Sequence, residues 1–165
     1  MIGSVVAQLT TALKSDTVGF QIHVDAVEVD RGVTLPDVGD NHIYGVDTPV
    51  NALTMNTPAL LVTPKTTNGA AVRSQGVRDA GHTISFEYAC LEVEEDKWRD
   101  EAMYMAEALM RFLDLFNSNN ATYVGSSGVI VVDDWRVDYT VTWQAPPNAI
   151  RGFILEADIL SRDSF

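Results

Sequence analysis

The pattern of apolar and polar positions is clearest over residues 94–117, where it predicts a long helix. Apolar side chains recur there at gaps of four and three residues, which places them on one face of an α-helix. This stripe consists of Trp98, Ala102, Met105, Leu109, Phe112 and Phe116. A helix with one wide apolar stripe is suited to cover a sheet.

Period-two alternation predicts strands on both sides of this helix. Residues 82–93 alternate through Ile84, Phe86, Tyr88 and Cys90, and residues 135–143 and 150–160 alternate in the same way. The last two segments are joined by a Pro-Pro-Asn turn and should pair as an antiparallel hairpin. Shorter strands are predicted at 59–63, which Pro64 should stop, and at 122–124, while residues 129–132 are a short strand or a turn edge.

The first sixty residues give two further elements and a long connection. Residues 2–15 have apolar positions at helical spacing and predict a short amphipathic helix. Residues 20–30 alternate between apolar and polar side chains, which predicts a strand. Residues 31–58 and 65–81 are polar and rich in turn-forming residues, and we interpret them as long extended loops, the second being a solvated loop or a loose hairpin.

Together these elements predict one α+β domain over residues 1–165. We expect a mixed, largely antiparallel β-sheet with the long amphipathic helix and the short N-terminal helix packed on it. No repeat of 20–50 residues is visible, so a solenoid is excluded.

The charge balance narrows the classes of partner. Eleven basic residues face 23 acidic ones, which gives a net charge of −12 and a pI near 4.4. Such a chain lacks the clustered cations that grip DNA phosphates, and an anionic membrane surface would repel it. The sequence shows no signal-peptide pattern and no apolar run near the ~20 residues of a membrane span. The single cysteine, Cys90, cannot form an intrachain disulfide and should be a small buried side chain.

Candidate catalytic chemistry is sparse. The sequence has no nucleophile elbow, phosphate-binding loop or zinc-protease motif. His23, His42 and His82 lie on separate predicted elements, so we interpret them as surface or strand-edge histidines rather than metal ligands. The acidic cluster of Glu92 and residues 94–96 sits where a helix begins and is explained by the helix dipole. We therefore expect neither an enzyme nor a bound cofactor.

Two further groups have a functional and a structural interpretation. Asp133, Asp134 and Lys97 invite comparison with a metal-dependent nuclease, but their spacing lacks the acidic-x-Lys element on a strand. The aromatic residues of the strand at 135–143 are Trp135, Tyr139 and Trp143. They could stack on bases or sugars, although at strand spacing they are more typical of a core face under a helix.

The order of elements resembles that of the tail terminator (tail completion) proteins of tailed bacteriophages. The resemblance runs through four segments, VVAQLTTAL, PALLV, HTISFEYACLEV with the helix that follows it, and WRVDYTVTWQAPPNAIRGFILEADIL. It is a likeness in the pattern of elements, and residues 20–58 are longer than the connection expected in that family.

The resemblance implies a structural protein of the virion, assembled in the host cytoplasm. The implied assembly is a homohexameric ring at the head-proximal end of the tail, which stops the tail tube protein from polymerising and joins the head–tail connector or stopper protein. DNA would pass through its lumen without specific binding. A head-closure or tail-tube component, and a non-viral binding module or small enzyme, remain as alternatives.

A ring needs surfaces that bind the neighbouring subunits, and two sets of residues are candidates. Lys65, Arg73 and Arg78 lie in a polar segment with no acid until Asp79, and we expect them to meet acidic patches on an adjoining ring or subunit. Met103 and Met110, together with Leu113, lie off the main stripe of the long helix and could contact the next subunit. Closed rings use head-to-tail contacts of this kind.

Overall fold

The computed structural model describes residues 2–45, 56–74, 77–118 and 129–164. Within these ranges the chain forms three α-helices, a 3₁₀ turn and five strands. In chain order they are α1 (Ile2–Leu13), α2 (Phe20–Arg31), the 3₁₀ turn (Asp40–His42), β1 (Ile43–Tyr44), β2 (Ala59–Ser74), β3 (Val77–Ala89), α3 (Trp98–Ser118), β4 (Val129–Gln144) and β5 (Ile150–Ser164).

The strands form one sheet in the order β1-β2-β3-β5-β4. β1 runs parallel to β2, and all other neighbours are antiparallel. β4 and β5 pair as the predicted hairpin. The predicted α+β class and the mixed, largely antiparallel sheet are therefore confirmed.

One face of the sheet and the three helices enclose the main core. The inward residues of β3 and β5 are fully buried, as their alternation predicts; they include Ile84, Phe86, Tyr88, Phe153, Leu155, Ala157 and Ile159. The whole predicted stripe of α3 is buried against them, with at most 2% exposure. Each large side chain of this kind contributes roughly 1.5–3 kcal/mol by leaving water, so this layer provides most of the driving force for folding.

The predicted long helix is confirmed, with its first residue at Trp98. Residues 94–97 form the turn that precedes it, since the amide nitrogens of Lys97 and Trp98 both donate to the carbonyl of Glu94. Leu113 is only 1% exposed and belongs to the core, so it is no surplus apolar residue.

The strand predicted at residues 20–30 is wrong, because this segment is the helix α2. Phe20 and Val24 face the core and are fully buried, whereas Ile22 and Ala26 face solvent. Apolar residues thus occupy two opposite faces of one helix, and along the sequence two opposite faces imitate the alternation of a strand. Gly32 ends the helix at a φ of 64°, a conformation that glycine adopts without strain.

The connection after α2 packs partly against the core, whereas the sequence predicted an extended loop. Leu35 and Val38 are buried in the core, and their amides are bound by side chains of α2: Leu35 N–H by Glu28 at 2.6 Å and Val38 N–H by Gln21 at 2.8 Å. Residues 46–55 lie outside the described part of the chain.

Residues 65–74 and 77–81 lie on two paired strands, so this segment follows the hairpin interpretation and not that of a solvated loop. β2 continues through Pro64 as far as Ser74, and β3 begins at Val77. Proline is tolerated there because the described residues pair β1 only with Leu60 and Leu61, so beyond them β2 is an edge that needs no further N–H donor. The two segments at 129–132 and 135–143 are likewise one strand, β4. The strand predicted at 122–124 lies outside the described residues.

Candidate interaction surface

The second face of the sheet has no helix packed on it among the described residues; we call it the open face. Its middle is polar, and neighbouring strands are connected by paired side chains. Lys65 Nζ lies 3.3 Å from Glu87 Oε1, and Arg136 Nε donates to Glu156 Oε2 at 2.8 Å. The hydroxyl of Thr83 donates to Asp158 at 2.8 Å. These pairs are partly exposed to solvent, so each contributes little to the stability of the fold. The open face is therefore a charged surface.

The open face carries more acidic than basic groups. Register places Asp134 opposite Asp158, Arg136 opposite Glu156, and Asp138 opposite Ile154. Cross-strand partners share a face, so these side chains lie on the same surface. Among the residues whose side chains the structure describes, two basic ones, Lys65 and Arg136, accompany five acidic ones there: Glu87, Asp134, Asp138, Glu156 and Asp158. A phosphate backbone would be repelled by such a surface.

One end of the open face carries a small apolar cluster. Ala59, Leu61 and Ala89 are buried there, and Tyr44, Trp143 and Ile150 pack over them. A side chain on Gly152 would overlap the carbonyl oxygen of Tyr88 and approach the Trp143 ring. Glycine is therefore needed at this point so that β3, β5 and the Trp143 ring can approach closely.

The predicted aromatic stripe of β4 is divided between surfaces, so it is no continuous core face. Trp135 pairs with the core residue Ala157, yet it is 38% exposed at the sheet edge. The pairing with β5 is irregular between Asp138 and Val141, which moves Trp143 to the opposite face. Tyr139, at the irregularity, is 40% exposed.

The residues proposed as interface from the sequence are separated in the structure. Lys65 is on the open face, already paired with Glu87 of the same chain. Arg73 and Arg78 fall on the β2–β3 hairpin, but their side chains lie outside the described residues. Met103 is exposed on α3, whereas Met110 is half-buried against the core.

The acidic segment before α3 is occupied by structural contacts. Glu94 pairs with Lys97 at 2.6 Å, and Glu95 pairs with Arg151, whose guanidinium lies over the Trp98 ring. The amides of Glu94 and Val93 donate to the Glu92 carboxylate and hold its pKa below the ordinary value. These carboxylates thus bind cations and backbone rather than only complementing the helix dipole.

A shallow cavity of about 300 Å³ lies between residues 33–36 and the start of α3. Its charged lining residues are Glu92, Lys97, Asp100 and Glu101. Glu101 already accepts hydrogen bonds from the amides of Leu91 and Glu92 at 2.9 Å. Because its most buried carboxylate is engaged in this way, the cavity lacks the convergent free groups of an active site.

The three histidines do not meet, and two of them are buried, contrary to the prediction of surface or strand-edge positions. His23 packs edge-on against Phe112 with its pKa lowered mainly by burial. His82 lies between Thr67 and Ser161 at 3.1 and 2.9 Å, and His42 contacts the carbonyl of Pro58. No group of three potential metal ligands occurs among the described residues.

Two other groups that were considered for catalytic chemistry also have structural roles. Burial raises the pKa of the Cys90 thiol, so it stays protonated and is a poor nucleophile. Asp134 caps the amide of Trp135, while Lys97 binds Glu94, so the structure does not assemble the acidic–lysine site considered above.

The chain matches no protein-family model and no curated protein sequence. None of the helices in the described residues has the combined length and apolar character that crossing a bilayer requires.

Proposed function

We propose that this protein is a structural ring subunit of a bacteriophage tail, a tail terminator at the head-proximal end. The observation that carries the proposal is the open face, which is a broad, net acidic surface of the sheet. The groups considered above for catalytic chemistry are instead engaged in structural contacts. A surface of this kind suits assembly around a passage better than it suits binding a small substrate.

The four segments that carry the family resemblance fall on separate parts of this architecture, with α2 and β1 between the first two segments. They lie on α1, on the start of β2, on β3 with the turn and the helix α3 after it, and on the β4–β5 hairpin. The resemblance therefore involves the sheet and two of the helices that cover it, which supports a shared arrangement of the elements.

In the proposed ring the open face lines the lumen. Negative charge in the lumen would keep DNA from binding while it passes. Carboxylates repel the DNA phosphates and cannot neutralise them, so no counterions are released to favour binding. The ring would bind the tail tube protein on one side and a head–tail connector on the other. Arg73, Arg78, Met103 and Met110 remain candidates for the contacts between subunits and rings, whereas Lys65, paired with Glu87 on the open face, would lie in the lumen.

The test combines mass measurement with electron microscopy of the purified protein, alone and with growing tail tubes. A terminator should form closed rings of one mass, without filaments, and should stop tube growth when added. Long filaments would instead indicate a tube protein. A protein that stays monomeric at high concentration and leaves tube growth unchanged would contradict the proposal.

A further inference from the structure

The outer edge of β4 carries backbone groups that are bound by side chains of the same molecule. β4 is the last strand of the sheet and, among the described residues, it pairs with another strand only on its β5 side. An unpaired edge of a strand 16 residues long presents amides and carbonyls to which a strand of another molecule can bind. Whether such a strand can add to β4 depends on how these groups are occupied.

The side chain of Asn117, near the end of α3, occupies both backbone groups of one residue on this edge. Asn117 Nδ2 donates to the carbonyl oxygen of Val132 at 2.7 Å, and Asn117 Oδ1 accepts the amide of Val132 at 2.8 Å. Opposite residues of an antiparallel ladder exchange both backbone bonds or neither. Val132 lies opposite Ile159, so its two groups, which are bound to Asn117, point away from β5. The primary amide of Asn117 therefore binds Val132 as a residue of a neighbouring strand would.

Two carboxylates occupy further amides of β4. Asp134 Oδ1 accepts the amide of Trp135 at 2.8 Å, and Asp138 Oδ1 accepts the amide of Thr140 at 3.2 Å. Both carboxylates stand at irregularities in the pairing with β5. Irregular pairing and charged side chains at an edge both oppose the addition of another strand.

The three occupied positions are distributed along the strand. Trp135 lies three residues after Val132, and Thr140 lies five residues after Trp135. At ~3.3 Å per residue the distance from the first to the last is about 26 Å. A strand that pairs along this edge therefore has to displace a side chain from the backbone every few residues.

We infer that Asn117, Asp134 and Asp138 keep the edge of β4 closed to the same edge of a second copy of this chain. Two copies of one strand related by a twofold axis can pair antiparallel, because each presents the same surface to the other. Such a contact ends at a pair of molecules, whereas a ring needs head-to-tail contacts. The inference goes beyond the proposed ring and does not depend on it.

The test compares two sets of substitutions that remove the same negative charge. The uncapped variant carries Asn117→Ala, Asp134→Ala and Asp138→Ala. The charge control carries Asp134→Asn and Asp138→Asn, which remove the two charges but retain side-chain oxygens that accept the two amides. The uncapped variant should self-associate about tenfold or more tightly than the charge control, measured by sedimentation equilibrium.

A further substitution shows whether this association passes through the edge of β4. Thr140→Pro removes the amide that Asp138 binds in the wild type, and proline is accepted on edge strands and at irregular pairing. Added to the uncapped variant, it should return self-association to the level of the charge control. Hydrogen exchange should also show slower exchange of the Trp135 amide in the associated uncapped variant than in the charge control.

Three results would overturn the inference. The first is an uncapped variant that associates no more tightly than the charge control, because loss of charge then explains any association. The second is extra association that persists with Thr140→Pro, and the third is extra association without slower exchange at Trp135; either places the contact on another surface.

Circular dichroism checks that each variant is folded. If the uncapped variant does not fold, Asp134→Ala with Asp138→Ala takes its place, since this pair leaves Asn117 and its contact with Val132 unchanged. It should still associate more tightly than the charge control, and equal association would overturn the inference. The proposed ring is tested separately, by the mass and the images of the wild-type protein.

Discussion

The hydroxyl of Tyr88 donates a hydrogen bond of 2.8 Å to the carboxylate of Glu101 inside the core. Tyr88 lies near the end of β3 and Glu101 in the first turn of α3, so this contact connects the sheet to the long helix. The same carboxylate binds the amides of Leu91 and Glu92 in the connection between them. Burial, and then the charge of Glu101, raises the pKa of Tyr88, which keeps the phenol protonated as a donor.

Glu101→Ala should therefore be strongly destabilising. It leaves the Tyr88 hydroxyl and two amides without their acceptor, and we expect a loss of about 3 kcal/mol in the free energy of unfolding. Urea denaturation measures it, and a double-mutant cycle with Tyr88→Phe separates the hydroxyl contact from the amide contacts. A loss below about 0.5 kcal/mol would show that the contact is not structural.

Gly152→Ala should also destabilise the fold, through steric overlap. The added methyl would collide with the carbonyl oxygen of Tyr88 and force β3 and β5 apart, at a cost of about 1–3 kcal/mol. Gly81→Ala is the control on β3, since its nearest neighbour, Leu160 Cδ2, lies at an ordinary contact distance of 3.9 Å. Thermal unfolding should separate the two variants. Equal melting temperatures would contradict the close approach at Gly152.

The ion pairs between α2 and α3 should make stability depend on acid pH. Glu107 binds Arg31 at 3.0 Å and Arg111 at 2.7 Å, and these bonds, Arg31 foremost, hold its pKa below the ordinary value. A carboxylate with a depressed pKa stabilises the fold above its unfolded pKa, and this contribution is lost as pH falls through the folded value.

Glu107→Gln should consequently be less stable than wild type at pH 7, and the difference should shrink toward pH 3. We expect less than about 1 kcal/mol at pH 7, because the pairs are partly exposed. Urea titrations at several pH values provide the measurement. A difference that does not change between pH 7 and pH 3 would assign the effect to packing instead.

Charge reversal on the open face should create DNA binding. Asp134→Lys combined with Asp158→Lys replaces two negative charges by two positive ones at positions that lie opposite each other on that surface. The charge of the surface changes by four units. We expect salt-sensitive retention of duplex DNA in a gel-shift assay, where the wild type shows none.

The control for this charge reversal is Asp16→Lys with Asp96→Lys, the same change at exposed positions outside the sheet. Equal DNA retention by both pairs would mean that net charge alone decides. No retention by either pair would contradict a lumen lined by the open face.

The sequence by itself determined the elements whose apolar residues occupy a single face. α3, the inward face of β3 and the inward face of β5 follow from their periodicity, because each has one buried side and one polar side. The β4–β5 hairpin follows equally from alternation on both sides of a turn. These elements are enough to predict the α+β class and the helix layer on the sheet.

Only the tertiary structure decided the rest, since it depends on which surfaces meet. α2 has apolar residues on opposite faces, so spacing alone cannot show that Phe20 is core and Val29 is surface. The helical spacing of Ile22, Ala26 and Val29 is a signal that could have indicated a helix, but it does not indicate that this stripe is exposed. Pro64 remains within β2 because its edge has no further partner there among the described residues, and an irregular pairing divides Trp135 from Trp143. Edges, bulges and uncovered faces arise from contacts between distant segments, which local periodicity does not encode.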